Sequence, residues 1–246
     1  MDYEKYTFSK REMLILIGQF CLLTIIVGKL FYGGYLYGFI FSPLLKLFVE
    51  SRRKNLVNRR KKQLKYQFKD AINSLSDLLA VGYSVENAIK ECYKEMMILH
   101  GKDSLICREL KVIIKKIELN IPVELALQDF GKRSGVGDIK LFGQIFYNAK
   151  RTGGNLVSVI KLVSSTISQS FDVEEEVAHI IGEKKLESHI MNVAPVAVLA
   201  YATMTGGGMF DVMYETMAGH IFMTGCLLVY IAVVCLSSKI IQIECD

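Results

Sequence analysis

The sequence predicts an all-α fold: a polytopic membrane protein with a cytoplasmic six-helix bundle, made of three helix hairpins, set between two transmembrane pairs. Three observations carry this prediction. First, the charge is segregated. Residues 13–49 contain only Lys29 and Lys46 as formal charges, and residues 188–238 only Asp211 and Glu215. The intervening stretch holds most of the Lys, Arg, Asp and Glu of a chain that is 51% apolar. Second, the chain has no Trp and only three Pro, and few alternating runs that would favour strands. Third, one phrase recurs as "GYSVENAIK" (82–90), "NIPVELALQ" (120–128) and "GGNLVSVIK" (153–161). Val85, Val123 and Leu156 align, and Ala88, Ala126 and Val159 then fall together.

The N-terminal membrane region is residues 1–50. As one helix, 13–49 would be about 55 Å long against a hydrocarbon core of about 30 Å. Two short spans, about 12–30 and 33–49, fit better. One tilted span with an interfacial stretch is the alternative. A signal peptide fits poorly, because its leader is mixed in sign and no cleavage site follows.

Residues 51–188 form the helical domain. Phe68, Ala71, Ile72, Leu75, Leu78 and Leu79 recur at helical spacing up to Gly82, and Ser84 can cap the next helix. Ile106, Leu110, Ile113, Ile114 and Ile117 mark another helix, ended by Asn120, and Pro122 suits the first turn of its successor. Ile139, Phe142, Ile145, Phe146 and Ala149 mark a further stripe. Gly153 and Gly154 end it, and Asn155 can cap a last helix that runs through "EEEVAHIIGEKKLES" toward the membrane. Each repeated phrase is thus the corner of a hairpin, with Gly82, Ser84, Ala88, Pro122, Ala126, Gly153, Gly154 and Asn155 as its structural residues. Loops are expected near 100–103 and 131–137.

The C-terminal pair, within 189–246, comprises spans of about 190–208 and 220–240. Pro195 is tolerable there, because neighbouring helices can satisfy the freed carbonyls. Placement of Lys and Arg sets the orientation. Nine basic residues lie between Arg52 and Lys69, Lys184 and Lys185 precede the second pair, and the 209–220 loop has none. Residues of about 50–188 are therefore expected in the cytoplasm, the loop outside and both termini inside. The basic run is expected to meet anionic lipid rather than nucleic acid.

Chemistry is not written into the chain. "RTGGN" lacks the phosphate-loop pattern, and "GKRSGVGDIKLFG" (131–143) lacks the dinucleotide-binding spacing, so both glycine clusters are expected to be hairpin turns. The six Cys show no metal-ligand spacing and are expected to be free thiols in a reducing compartment. No cofactor, metal or catalytic residue is expected. Gln169 and the acidic run Glu174, Glu175 and Glu176 form a candidate partner face.

The order "QFKDAINSLSDLLAVGYSVENAIKEC", "IPVELALQDFGKRSG", "LFGQIFYNAKRTGGNLVSVI" and "EEEVAHIIGEKKLESHIM" resembles the type II secretion system F domain. That domain occurs in membrane platform proteins of secretion and pilus machines, and the match covers about 68–200. Within the family, the chain is most similar to the TadB and TadC proteins of Flp-type pilus assembly. The resemblance implies a non-enzymatic platform that couples a hexameric secretion ATPase to extrusion of pilin subunits. It further implies a paralogous F-domain partner and a homo- or hetero-oligomer. Gly82, Ala88, Gly153, Gly154 and Asn155 carry over as structural residues. A membrane-anchored signalling or scaffolding module that binds a soluble regulator is the alternative; a membrane enzyme is the weakest reading.

Overall fold

The computed structural model describes residues 10–34, 44–152, 155–206, 208, 213–214 and 216–243. Every regular element among them is a helix: α1 (Lys10–Tyr32), α2 (Leu44–Ala80), α3 (Val85–His100), α4 (Leu105–Glu118), α5 (Val123–Ser134), α6 (Gly137–Arg151), α7 (Leu156–Thr205) and α8 (Met217–Ile243). The chain divides into two compact units. Residues 52–173 form one; the described residues of 10–51 and 174–243 form the other.

In the first unit the helix boundaries follow from local chemistry. Tyr83 donates its N–H to the Leu78 carbonyl at 3.1 Å and Gly82 donates to Leu79 at 3.1 Å. Gly82 sits at φ 102°. This crossed pair of bonds satisfies carbonyls that the end of α2 would otherwise leave open. The end of α4 repeats it with a different residue. Ile121 donates to Lys116 at 3.0 Å and Asn120 to Ile117 at 2.9 Å, with Asn120 at φ 60°. Asn tolerates this left-handed conformation better than other side-chain-bearing residues do.

Helix starts are capped as the sequence indicates. The Ser84 Oγ accepts from the Asn87 N–H at 3.4 Å, and the Asn155 Oδ1 from the Ser158 N–H at 3.3 Å. Pro122 differs from expectation. It is the cap residue of α5, not part of its first turn: its ψ of 136° is extended. Its carbonyl instead opens the helix, accepting from Leu125 at 3.0 Å and Ala126 at 3.1 Å. The loop expected at 131–137 also shrinks. Helix α5 runs on to Ser134, and only Gly135, in the left-handed region, and Val136 separate it from α6. Gly153 and Gly154 lie outside the described residues.

Val85, Val123 and Leu156 each turn out to be the first residue of a helix. Ala88 and Ala126, one turn on, are 0% and 1% exposed. Apolar residues of α2 through α7 share one core. Phe68 of α2 meets Phe130 of α5 and Phe142 of α6 edge-on, at centroid distances of 6.2 and 5.5 Å. A void of about 20 Å³ remains beside Phe68, Ile72, Ile89, Ile113 and Leu127. Its lining is apolar, so it is too inhospitable for water.

In the second unit, Met13–Tyr32 and Met217–Ser237 are each long and apolar enough to cross a membrane, with mean hydropathies of 2.2 and 2.1. Their large apolar side chains face outward: Leu14 is 70% exposed and Ile221 71%. A small buried cluster of Phe31, Met223 and Leu227 joins α1 to α8, with Leu199 of α7 packed on it. Tyr32 and Thr224 share a hydrogen bond at 3.0 Å, and the Tyr214 hydroxyl donates to the Leu30 carbonyl at 2.8 Å. Helix α7 continues through Pro195 and stops before Gly206. Of the expected span at 33–49, residues 35–43 lie outside the described residues; 33–34 follow α1, and 44–49 are the first residues of α2.

Candidate functional site

The most developed polar arrangement joins α4 to α5. Arg133 grips Glu109 with both arms of its guanidinium, at 3.2 Å and 2.8 Å. The Glu109 side chain is 1% exposed. Arg133 Nε also donates to Asp129 at 2.7 Å, and Lys116 donates to the same Asp129 oxygen at 2.6 Å. Two cations and two carboxylates thus form a neutral chain. Burial works against the charge of Asp129, but hydrogen bonds from Lys116 and Arg133 outweigh it and hold its carboxyl below the usual range. Burial likewise opposes the Arg133 charge, and its bonds to Glu109 and Asp129 overcome it and raise its pKa.

Other ion pairs tie neighbouring helices together. Lys65 of α2 meets Asp138 of α6 at 2.9 Å, and Lys69 of α2 meets Asp172 of α7 at 3.1 Å. Both ammonium groups also lie over the Phe171 ring, 4.9 and 5.5 Å from its centroid. His100 and Asp70 meet at 2.9 Å. Lys150 of α6 meets Glu124 of α5 at 2.9 Å. Desolvation would raise the Glu124 pKa; the backbone bond and Lys150 together bring it below its usual value.

The residues singled out by the sequence divide into two sets. Gly82, Ser84, Ala88, Pro122, Ala126 and Asn155 all sit at helix corners or on the first buried turn that follows them. Gln169, Glu174, Glu175 and Glu176 are exposed on α7. The glycine cluster 131–143 is not simply a turn. Gly131 and Gly143 lie inside α5 and α6, where each faces the backbone of the other helix. A Cβ on Gly131 would come 2.9 Å from the Lys140 Cα, and one on Gly143 would come 3.0 Å from the Leu127 carbonyl oxygen.

Comparison with protein-family models, curated proteins and solved structures returns no match.

The functional reading therefore rests on the residues themselves. None of the five described cysteines is in a disulfide. Burial pushes the Cys92 thiol up to about 12, with Glu95 and Cys107 adding to the shift and Ser74 opposing it. Such a thiol is a packed apolar group and a poor nucleophile. Among the described residues no group of three or more His, Cys, Asp or Glu could hold a metal ion. The Glu109–Arg133 pair is what sequence reasoning passed over. The signal was present: Glu109 falls three residues after Ile106 and four before Ile113, on the stripe that must be buried. An acid in that register requires a partner.

Proposed function

We propose that the chain is a platform protein of the cytoplasmic membrane. Its helical domain, a six-helix bundle of three hairpins, receives mechanical work from a hexameric secretion ATPase. Four spans pass that work to pilin-like subunits in the bilayer. In this reading residues of about 50–188 face the cytoplasm, the 209–220 loop lies outside and the protein catalyses no reaction.

One observation carries the reading. The thrice-repeated phrase opens α3, α5 and α7 at the same register, in the order that the F-domain resemblance has. Three kinds of support stand beside it. Two helices are long and apolar enough to cross a membrane. The first unit has one apolar core, as a body that transmits force requires. Its helices are stapled across their surfaces by ion pairs.

Photocrosslinking in native membranes from Gln169 and Glu175 tests the proposal. Capture of a hexameric secretion ATPase or a second F-domain protein is the expected result. Reproducible capture of a soluble regulator from these positions, without either of those partners, would replace the platform with a membrane-anchored scaffold.

A further inference from the structure

The basic run of α2 is not one site. Nine Lys and Arg lie between Arg52 and Lys69, with no acid between Glu50 and Asp70. The structure separates them. Lys65 and Lys69 are engaged within the first unit, paired with Asp138 and Asp172 and laid over Phe171, with side chains only 18% and 20% exposed. Arg52, Arg53, Lys54, Arg59, Arg60 and Lys62 are exposed. The change comes at Leu64, the first residue of α2 to enter the core.

The exposed charges do not make a stripe. At 3.6 residues per turn, positions seven apart lie on nearly the same side of a helix. The pairs 52/59 and 53/60 therefore fall on two different sides, Lys54 on a third and Lys62 on a fourth. A helix lying in a nucleic-acid groove, or flat on a surface, needs its charge on one side. A helix surrounded by basic side chains suits surroundings that are anionic in every direction. The stretch "LLKLFV" (44–49), two residues ahead of Arg52, is apolar but for Lys46. Residues 52–62 rise about 16 Å, comparable to the headgroup layer of one leaflet plus one Debye length in physiological salt.

We infer that Arg52–Lys62 is a lipid site: a helical collar that passes upright through the headgroup layer of an anionic bilayer and gathers several phosphates at once. The inference rests on the membrane part of the proposed function and is independent of the ATPase and pilin parts. Like charges three and four residues apart destabilise a helix, as at Arg59 and Lys62. Lipid phosphates relieve that repulsion, so the collar is a helix that its ligand stabilises.

The test is native mass spectrometry of the full chain in a neutral detergent, titrated separately with phosphatidylglycerol and phosphatidylcholine. Several phosphatidylglycerols are expected to be retained, at least tenfold more tightly than phosphatidylcholine, with the preference falling as salt rises. Arg53→Gln, Lys54→Gln, Arg59→Gln and Lys62→Gln together should bring the two lipids to parity. Arg53→Lys with Arg59→Lys should keep the preference, because charge and not shape is recognised. Lys65→Gln with Lys69→Gln should keep it too. Equal retention of both lipids by the native chain would overturn the inference. So would an undiminished preference in the fourfold variant, or displacement of phosphatidylglycerol by a short RNA at equal charge concentration.

Discussion

Glu109 shows what a single letter costs and what rescues it. A carboxylate at 1% exposure survives because Arg133 supplies a matched two-bond partner from the next helix. Removing Arg133 takes both of these bonds from a buried charge. Arg133→Ala is expected to destabilise the chain by about 3–5 kcal/mol, read as a lowered melting point of the full protein in detergent. Arg133→Met combined with Glu109→Met should recover most of the loss, because an apolar pair leaves no buried charge at that place and Asp129 keeps Lys116. Asp129 beside them makes a pH prediction. Its folded pKa is depressed, so its contribution is fully present above the unfolded value of about 3.9 and is lost as pH falls through the folded value. Stability should therefore drop on acidification below about pH 4. Asp129→Asn should flatten that drop, as measured by denaturation midpoints from pH 6 downward.

At the scale of helices, legibility depended on whether a residue type has one structural use or two. Ser84 and Asn155, placed before apolar runs, have one dominant use, and both are caps. Asn120 was legible for the same reason. Glycine has two uses, a turn or a close approach, and spacing alone does not separate them. Gly135 is the turn; Gly131 and Gly143 are the approach, and so the expected loop at 131–137 became mostly helix. The Lys65–Asp138 and Lys69–Asp172 pairs were illegible, since nothing local ties residues 73 and 103 positions apart. The α5–α6 crossing gives a direct check. Gly143→Val should cost about 1–3 kcal/mol by driving a side chain into the Leu127–Gln128 backbone. Gly137→Ala, at the start of α6 with open space around its Cβ position, should be neutral or slightly stabilising. Equal melting points for the two variants would mean that the close approach does not hold α5 to α6.

The whole molecule is a contrast between two solvents. The first unit packs apolar residues of six helices into one core, though some such as Ile98 stay exposed, while Met13–Tyr32 and Met217–Ser237 turn most of theirs outward. Two such outward apolar helices suit a bilayer, and under the proposed function the placement of Lys and Arg sets the orientation expected of them. That orientation can be read by cysteine labelling, and the native thiols leave a quiet background. Cys92 is buried with its pKa pushed up to about 12, and Cys107 is buried. Cys21, Cys226 and Cys235 lie on the two candidate spans, which the proposed function sets in lipid, where a charged reagent would not reach them. Only Cys245 needs replacing by Ser. In that background Thr216→Cys, exposed and just ahead of the span that starts at Met217, should react with an impermeant maleimide on intact cells. Ile98→Cys, at 87% exposure, should react only after the membrane is opened. Both sites are open to reagent in the folded chain, so a difference between them reports the side of the membrane and not local burial. Labelling of Ile98→Cys on intact cells would place the basic collar on the wrong face, and the platform reading would fail with it.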